Sequence, residues 1–542
     1  MRLSAIVFAS FMAGSLAAQD VASQIEEYVS SLVKAGKFSG SVLAARDGKV
    51  LLSKGYGMAN LELDVPNTPQ TKFRLGSITK QFVTAAILQL EEKGKLSVAD
   101  PVCKYVPDCP AAWGKITIHH LMSHTSGIPN FTSFPDYPKT WMLPSRPEQT
   151  LLRFTDKPLD FEPGTKWSYS NSGYILLGYI LEKASGMRYE DYLRKNVLDP
   201  AGMADSGHDT HEEILKNRAT GYSRGSGEKW VNSAYHDMSI PIGGGDLYST
   251  VEDMYKWDQA LTPGRVLSGE SLRRALTPVK NRYGYGWGID KQYGRPRYSH
   301  GGGINGFSTF FARFPEEKAV VVVLGNTDFG ATGDVAAAVT RSLFGAKYVR
   351  PEDRKEISVD PGRLPAYVGQ YELESGGKAT VSVESGKLHV MLPNSAREEV
   401  FPEAEDTFFY RTTDRQLEFR RNPAGAVTGM VIHRHGTESE AVKVSSEVPA
   451  LPKEVALSPE ALAELTGEYE LAQGFSIVVT AEDGKLFGQA TGQPKFELFA
   501  EAKDKFFLKV VEAKIDFERG PDGKVTGLIL HQGGRDMPAK RK

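Results

Sequence analysis

The chain has little of three things that often reveal a function: cysteine, net charge and long hydrophobic runs. Its 542 residues include two cysteines, and the formal net charge is −2. A nearly neutral chain gives no electrostatic reason to expect nucleic acid or an anionic membrane surface as a partner. Beyond the first residues, no stretch approaches the ~18–20 apolar residues of a membrane span. We therefore expect no nucleic-acid partner and no integral membrane segment in the mature chain.

The two cysteines, Cys103 and Cys109, lie six positions apart beside Pro107 and Pro110. Two thiols without a nearby His or Cys partner make a poor metal site, whereas in an oxidising compartment they can close a small disulfide ring. The sequence therefore favours a disulfide that staples a loop. It predicts no metal and no cofactor.

The N-terminus has the pattern of an export signal. Arg2 precedes an apolar run over residues 5–16, which is followed by small residues and then by Gln19 and Asp20. This order is typical of a secretory signal peptide, with cleavage near Ala17 or Ala18. An ordinary hydrophobic first helix is the alternative. We expect residues 1–18 to be a signal peptide and the protein to be periplasmic or secreted.

The length exceeds what one hydrophobic core holds, and the pattern divides the chain into several domains. Between residues 19 and 349, strand-like stretches at both ends enclose a helix-rich middle. Residues 41–52 indicate one hairpin and residues 307–324 another, and residues 335–344 indicate a closing helix. This arrangement predicts an α+β domain whose antiparallel sheet joins segments far apart in the sequence.

The remainder contains an internal repeat with an offset of 98 residues. Gly369, Tyr371 and Glu372 recur as Gly467, Tyr469 and Glu470. Further matches follow at the same offset, including His433 with His531. Short alternating strands separated by glycine turns indicate a closed antiparallel β-barrel in each copy, over residues 363–448 and 461–542. We interpret the repeated histidines as structural or surface residues, because each stands alone at the end of a strand.

The candidate catalytic pair is Ser77 and Lys80. Side chains at positions i and i+3 of a helix project from the same face, and residues 82–90 are apolar at helical spacing. A serine hydroxyl is a weak nucleophile and needs a neighbour that takes its proton. The Ser-x-x-Lys pattern occurs four times in this chain. Only the copy at Ser77 has both a glycine before it and a long apolar helix after it.

Two later motifs could complete such a site. Tyr169 and Asn171 lie in a polar loop that runs into a helix, and a phenol beside an ammonium is expected to ionise below its usual pKa and act as a base. His300 is followed by Gly301, Gly302 and Gly303 and then by a strand. Either motif alone would be an ordinary loop or turn.

The order and spacing of the three motifs resemble the serine β-lactamase and penicillin-binding-protein superfamily. Tyr-x-Asn as the second motif is similar to the branch of class C β-lactamases, DD-carboxypeptidases, D-aminopeptidases and family VIII carboxylesterases. The strings at residues 121–127, 162–164 and 245–250 are also similar to that branch. The resemblance implies a β-lactamase/DD-peptidase-like sheet with flanking helices and a helical subdomain, and it likens the two repeats to lipocalin-like barrels.

The resemblance also implies roles for individual residues. Ser77 is then the nucleophile, Lys80 its proton partner and Tyr169 the general base, while the backbone of Ser77 and Gly303 forms the oxyanion hole. The implied substrate-binding residues are Asn171, His300, Gly301 and Gly302, although Asn171 could instead orient Lys80.

The third motif departs from the family pattern, because His300 and Gly301 stand where the family has Lys and Thr. This departure weakens the case for an efficient β-lactamase. The expected function is a serine hydrolase that forms an acyl-enzyme on small peptides or amides with D-residues. The alternatives are a family VIII-type esterase and a penicillin-binding sensor that acylates without turnover.

Overall fold

The computed structural model describes most of the chain after the expected signal peptide, which lies outside the described residues. The described ranges are 20–225, 229–347, 349–374, 376–393, 395–449, 452–472, 475–491, 493–532 and 535–542. They form two compact units, one up to Lys347 and the other from residue 349 onward.

The first unit is built on an antiparallel sheet of six strands. In spatial order the strands are Gly288–Gln292, Arg295–Ile304, Phe307–Phe314, Ala319–Gly325, Gly40–Arg46 and Lys49–Tyr56. The strand Gly40–Arg46 lies against Ala319–Gly325, with Gly40 opposite Gly325. The predicted sheet, which joins the two ends of the domain, is therefore confirmed.

Both faces of this sheet are covered, which explains why the strand Ala319–Gly325 is apolar throughout. Val321 and Val323 pack on one face with the helices at residues 20–34 and 332–344. Val320 and Val322 pack on the other face with the helix-rich middle of the chain. A strand buried on both faces reads as a continuous hydrophobic run.

Helices and short strands fill the rest of the first unit. Its α-helices cover residues 20–34 and Thr79–Glu92, Ile118–Met122, Tyr137–Thr140, Pro147–Leu151, Asn171–Ser185, Tyr189–Leu193, Asp199–Ala201, Val251–Ala260, Gly269–Ala275 and Thr332–Phe344. Its short strands are Met58–Asn60, Val65–Pro66, Phe73–Arg74, Gly207–His208, Tyr222–Arg224, Trp230–Asn232 and Leu247–Ser249.

Two of these helices form the centre of the unit and carry the site. Thr79–Glu92 is buried on all sides from Thr79 to Leu90, as expected of a helix inside a large core. Asn171–Ser185 is buried from Ser172 to Leu181 and ends at Gly186, whose left-handed conformation suits glycine.

Cys103 and Cys109 form a disulfide bond beside this core. Within the described ranges, none of the helices is both long and apolar enough to cross a membrane.

The second unit contains two closed eight-stranded antiparallel barrels, as predicted. The strands of the first barrel are Gly369–Leu373, Lys378–Glu384, Lys387–Met391, Arg397–Ala404, Thr407–Phe409, Arg415–Arg421, Val427–Arg434 and Thr437–Ser445. Those of the second are Gly467–Ala472, Phe475–Glu482, Lys485–Ala490, Lys495–Ala502, Lys505–Phe507, Ala513–Arg519, Val525–Gln532 and Arg535–Arg541. The helix Pro459–Glu464 precedes the second barrel.

The two barrels share internal contacts at the same 98-residue offset. Arg421 pairs with Asp406 in the first barrel at 2.8 Å, and Arg519 pairs with Asp504 in the second at 2.8 Å. In each copy a buried tyrosine hydroxyl also donates to the carbonyl four residues earlier in the chain. The repeated histidines are partly exposed at the surface, and each lies beside carboxylates.

Candidate active site

Ser77 lies at the start of the central helix. It occupies a 3₁₀ turn, Gly76–Ile78, that leads directly into the helix Thr79–Glu92. Gly76 has φ +54°, and a Cβ added there would lie 2.8 Å from the backbone nitrogen of Gly303. Glycine is therefore required before the nucleophile, because both its backbone conformation and the close approach of the neighbouring strand exclude a side chain.

The ammonium group of Lys80 has three acceptors around it. Nζ lies 3.1 Å from Oγ of Ser77, 2.8 Å from Oδ1 of Asn171 and 2.7 Å from the carbonyl oxygen of Gly244. An ammonium donates three hydrogen bonds, so all three of its protons are satisfied. When Lys80 loses one proton, the two shorter contacts use its remaining hydrogens and leave the lone pair facing Ser77.

Burial makes that loss of a proton easy. The Lys80 side chain is fully buried, and desolvation lowers its pKa from 10.5 to about 7. The negative charge of Asp246 acts in the opposite direction and limits the fall. At neutral pH a substantial share of the molecules therefore carries an uncharged amine next to the serine hydroxyl.

Asp246 is a buried carboxylate that also shapes the Lys80 pocket. Its side chain accepts hydrogen bonds from Tyr189 at 3.0 Å, from His208 at 2.8 Å and from the backbone N–H of Gly243 at 2.7 Å. It thereby fixes the turn whose next carbonyl, that of Gly244, holds Lys80. No sequence motif marks this carbonyl, because a backbone acceptor belongs to no side-chain pattern.

Asn171 contacts Lys80 and also lines the cleft. Its carbonyl oxygen accepts from Lys80, and its amide donates to Oγ1 of Thr132 at 3.1 Å. Of the two predicted roles, the structure shows the contact with Lys80, while the second N–H of the amide stays available at the cleft and substrate binding remains a prediction. Thr132 was missed, and it belongs to no motif that the sequence would mark.

Tyr169 is brought to the site, but its expected ionisation is wrong. Its ring lies 4.9 Å from Nζ of Lys80, yet burial raises the pKa of the phenol above 10. The nearby Ser77 opposes this rise only in part. Desolvation of the phenolate outweighs the effect of the neighbouring amine, which is itself partly neutral. The phenol therefore stays protonated.

The hydroxyl of Tyr169 is buried beside Ser77, but this contact falls short of hydrogen-bond geometry, and no other described residue pairs with the hydroxyl. The ring of Tyr169 packs against other aromatic rings, and its centroid lies 4.3 Å from that of the His124 ring. Burial also lowers the pKa of His124 well below 6.5, so this ring is neutral. A buried, unpartnered hydroxyl next to a nucleophile is costly for folding, which points to a role in function rather than in stability.

His300 is also neutral, and its hydrogen bonds fix one tautomer. Nδ1 donates to the carbonyl of Gly301 at 2.6 Å, so Nε2 accepts from the hydroxyl of Tyr283 at 2.9 Å. Burial, together with the charge of Lys80, lowers the pKa of His300 to about 4. His300 therefore supplies no positive charge where the family pattern has a lysine.

The cleft above Ser77 has a volume of about 170 Å³. Its lining residues are Ser77, Phe131, Thr132, Tyr137, Asn171, Ile175, His236, Pro241, Gly244, Gly245, Gly303, Ile304 and Asn305. His300 lies within the strand Arg295–Ile304 rather than in a turn before a strand. This strand reaches the cleft through Gly303 and Ile304, whereas His300, Gly301 and Gly302 do not line it. At Gly302 an added Cβ would lie 1.9 Å from the carbonyl oxygen of Leu75, so this glycine serves close packing.

Comparison with protein-family models gives two matches. Residues 25–344 match the beta-lactamase family, and residues 353–444 and 451–541 each match a domain of unknown function, DUF3471. The second match appears twice and covers the two barrels.

Individual proteins are similar over longer spans. Penicillin-binding protein 4* of Bacillus subtilis is 31% identical over 75% of this chain and 95% of that protein. The octameric penicillin-binding protein homologue from Pyrococcus abyssi is 27% identical, with a TM-score of 0.56 over 77% of this chain and 99% of that one. A D-aminopeptidase from Gluconobacter oxydans is 28% identical over 65% of this chain and 67% of that protein.

Proposed function

Since the chain belongs to the beta-lactamase family, we propose that it is a serine hydrolase that forms an acyl-enzyme on Ser77. The observation that carries this proposal is the Ser77–Lys80 contact of 3.1 Å with a lysine pKa of about 7. A base with a pKa near the working pH is partly unprotonated and can still hand its proton on.

In the proposed first step, Oγ of Ser77 attacks the substrate carbonyl carbon while its proton moves to Nζ of Lys80. The backbone N–H groups of Ser77 and Gly303 stabilise the resulting oxyanion, supported by the close approach of Gly76 to Gly303. The tetrahedral intermediate then collapses, and the leaving atom takes a proton from Lys80 through the hydroxyl of Tyr169. A neutral phenol suits this relay, because it donates its own hydrogen and accepts another.

In the second step, water attacks the acyl carbon and gives its proton to the neutral amine of Lys80. Oγ of Ser77 leaves and regains a proton, which releases the acid and restores the enzyme. The buried three-acceptor pocket keeps Nζ in place through both half-reactions.

The proposed substrates are small amides, D-residue peptides or esters. Similarity to penicillin-binding proteins and to a D-aminopeptidase supports the first two classes. The neutral His300 in the third motif supports an esterase as a second candidate, because a cation that would hold a substrate carboxylate is absent from that position.

We also propose that the protein is exported to the periplasm or beyond the cell. The pattern of residues 1–18 supports this, and N-terminal sequencing of the mature protein after expression with a C-terminal tag tests it. A mature chain that still begins at Met1 would contradict it.

The function is tested by incubating the protein with a fluorescent penicillin, a D-alanine p-nitroanilide and a short-chain p-nitrophenyl ester. Ser77→Ala should abolish labelling and turnover. Ser170→Ala is the matched control, because its buried hydroxyl has no hydrogen-bond partner among the described residues. The control should retain the activity.

The outcomes separate the candidates. Turnover of the anilide supports a peptidase or amidase, and turnover of the ester alone supports an esterase. Persistent labelling by penicillin without turnover of any substrate would contradict the hydrolase proposal and favour a binding or sensor protein. If Ser77→Ala kept both labelling and turnover, the assignment of Ser77 as the nucleophile would be refuted.

A further inference from the structure

The cleft above Ser77 is lined without a charged side chain. Among the described residues that line it, none is Lys, Arg, Asp or Glu. The one titratable imidazole in the lining is that of His236. The nearest charge, the ammonium of Lys80, lies beneath Ser77 and already donates to three acceptors of the protein. A substrate that carries a carboxylate or an ammonium beside the reacting carbonyl would therefore leave water without a charged partner on the cleft wall.

His236 is held uncharged by the same arrangement as His300. Its Nδ1 donates to the carbonyl of Asp237 at 3.2 Å, so its Nε2 accepts from the hydroxyl of Tyr137 at 2.8 Å. Burial and the charge of Arg74 lower the pKa of His236 to about 4. Neither ring nitrogen keeps a free proton for a substrate anion.

Two of the charges that lie behind this wall are paired inside the protein. Arg74 contacts Asp209 at 2.6 Å. The carboxylate of Asp237 accepts from Ser239 at 2.6 Å and from Tyr235 at 3.0 Å. None of these side chains needs a ligand to satisfy its charge.

The remaining lining is mainly apolar or backbone. Phe131, Ile175, Ile304 and the ring of Tyr137 supply the apolar surface, and Gly244 and Gly303 supply backbone edges. The volume of about 170 Å³ has room for a group of roughly the size of a benzene ring.

We propose that this cleft selects acyl substrates whose groups next to the reacting carbonyl are uncharged and mainly apolar. The inference rests on the proposed function and names its substrate class. It sets this chain apart from hydrolases that anchor a terminal carboxylate or a free amino group, and it favours esters and blocked amides over free peptides.

Two matched substrate sets test the inference, one for each side of the scissile bond. The acyl set consists of the p-nitrophenyl esters of butyrate, of succinate with a free carboxylate, and of 4-aminobutyrate. The leaving-group set consists of the butyrate esters of 4-hydroxybenzamide and 4-hydroxybenzoate. Rates measured with Ser77→Ala are subtracted, because charged chains can assist their own hydrolysis.

We expect kcat/KM for the uncharged member to exceed that of each charged member at least tenfold in one set or both. Ser77-dependent turnover with no such preference in either set would overturn the inference and leave the hydrolase standing. If none of the esters showed Ser77-dependent turnover, both the proposed function for this substrate class and the inference would be overturned.

A charge placed in the cleft gives a second test. Asn305 lines the cleft and donates one hydrogen bond, to the carbonyl of Ala234 at 3.2 Å. Asn305→Lys should raise the ratio of succinate to butyrate turnover at least fivefold, whereas the uncharged control Asn305→Gln should leave the ratio unchanged. An equal ratio in both variants would contradict the charge argument.

Discussion

Replacing Asn171 by aspartate changes the charge next to Lys80 and almost nothing else. Oδ1 of Asn171 lies 2.8 Å from Nζ, and aspartate has the same shape. The hydroxyl of Thr132, which accepts from the amide in the wild type, can donate to the new carboxylate. The variant therefore keeps the packing and adds one negative charge at hydrogen-bond distance from the base.

The size of the effect follows from the pKa of Lys80, which is about 7 in the wild type. A carboxylate this close raises the pKa of its partner by about 1–3, to about 8–10. The uncharged share of Lys80 at pH 7 then falls from about half to between about one tenth and one thousandth. We expect kcat/KM at pH 7 to drop at least fivefold and to recover as the pH approaches 10.

The assay is kcat/KM for p-nitrophenyl butyrate between pH 5 and pH 10, with the Ser77→Ala background subtracted. In the wild type the rate should rise through a half-point near pH 7. In Asn171→Asp the half-point should move above pH 8. Thr132→Val is the control, since it removes the second contact of Asn171 without adding charge and should keep the half-point near 7 while lowering the plateau.

A folding defect would lower the rate at every pH and could not produce recovery in alkali. A half-point that stays near 7 in Asn171→Asp would refute the reasoning. It would mean that the group titrating in the rate profile is not Lys80, or that Asn171 does not contact it in solution.

Three further changes test other parts of the structure. Tyr169→Phe should lower the rate of acylation by a factor of about 10²–10⁴. It should not lower the free energy of unfolding, because the lost hydroxyl has no hydrogen-bond partner among the described residues. A loss of stability in urea denaturation would contradict this. Lys80→Met should be inactive, and the wild type should gain stability relative to it as the pH rises from 7 to 10.5, by up to roughly 5 kcal/mol, since the unfolded chain binds more protons there. A difference in unfolding free energy that is flat over this range would place the pKa of Lys80 elsewhere. Replacing Cys103 and Cys109 by serine should lower the free energy of unfolding by about 2 kcal/mol through the small loop that they close, with acylation unchanged; equal stability under oxidising conditions would show that the bond contributes nothing.

The sequence was sufficient for the sheet, the central helices and the barrels, because these depend on local periodicity. The run Val320–Leu324 and the helical spacing after Ser77 each report which faces are buried. Because of the 98-residue repeat, each barrel strand could be predicted from two copies of its pattern. Ser77, Lys80, Tyr169 and Asn171 could also be assigned to one site, because their motifs together resemble those of the serine β-lactamase and penicillin-binding-protein superfamily.

The rest of the site depends on contacts that no local pattern contains. The carbonyl of Gly244 and the hydroxyl of Thr132 reach Lys80 and Asn171 only after folding. The pKa of Tyr169 was predicted to fall and instead rises, because the aromatic rings that bury it come from distant segments. His300 could be located from the sequence, but its neutrality depends on Tyr283, which folding brings to it.

Because both barrels close by pairing a first strand with a last strand, a strand of one copy could pair with the other copy during folding. Each ring is completed by its own first and last strands, and a chain with two similar repeats can exchange them. The closing contacts differ between the copies. In the first, Lys443 packs over the ring of Tyr371 and donates to a carbonyl. In the second, Lys542 pairs with Glu468 and Glu470. If the last strand of the second barrel joined the first ring, Lys542 would lose one of its two counter-charges, because Gln370 stands where the second barrel has Glu468. The difference at this seam therefore favours closure of each barrel by its own last strand.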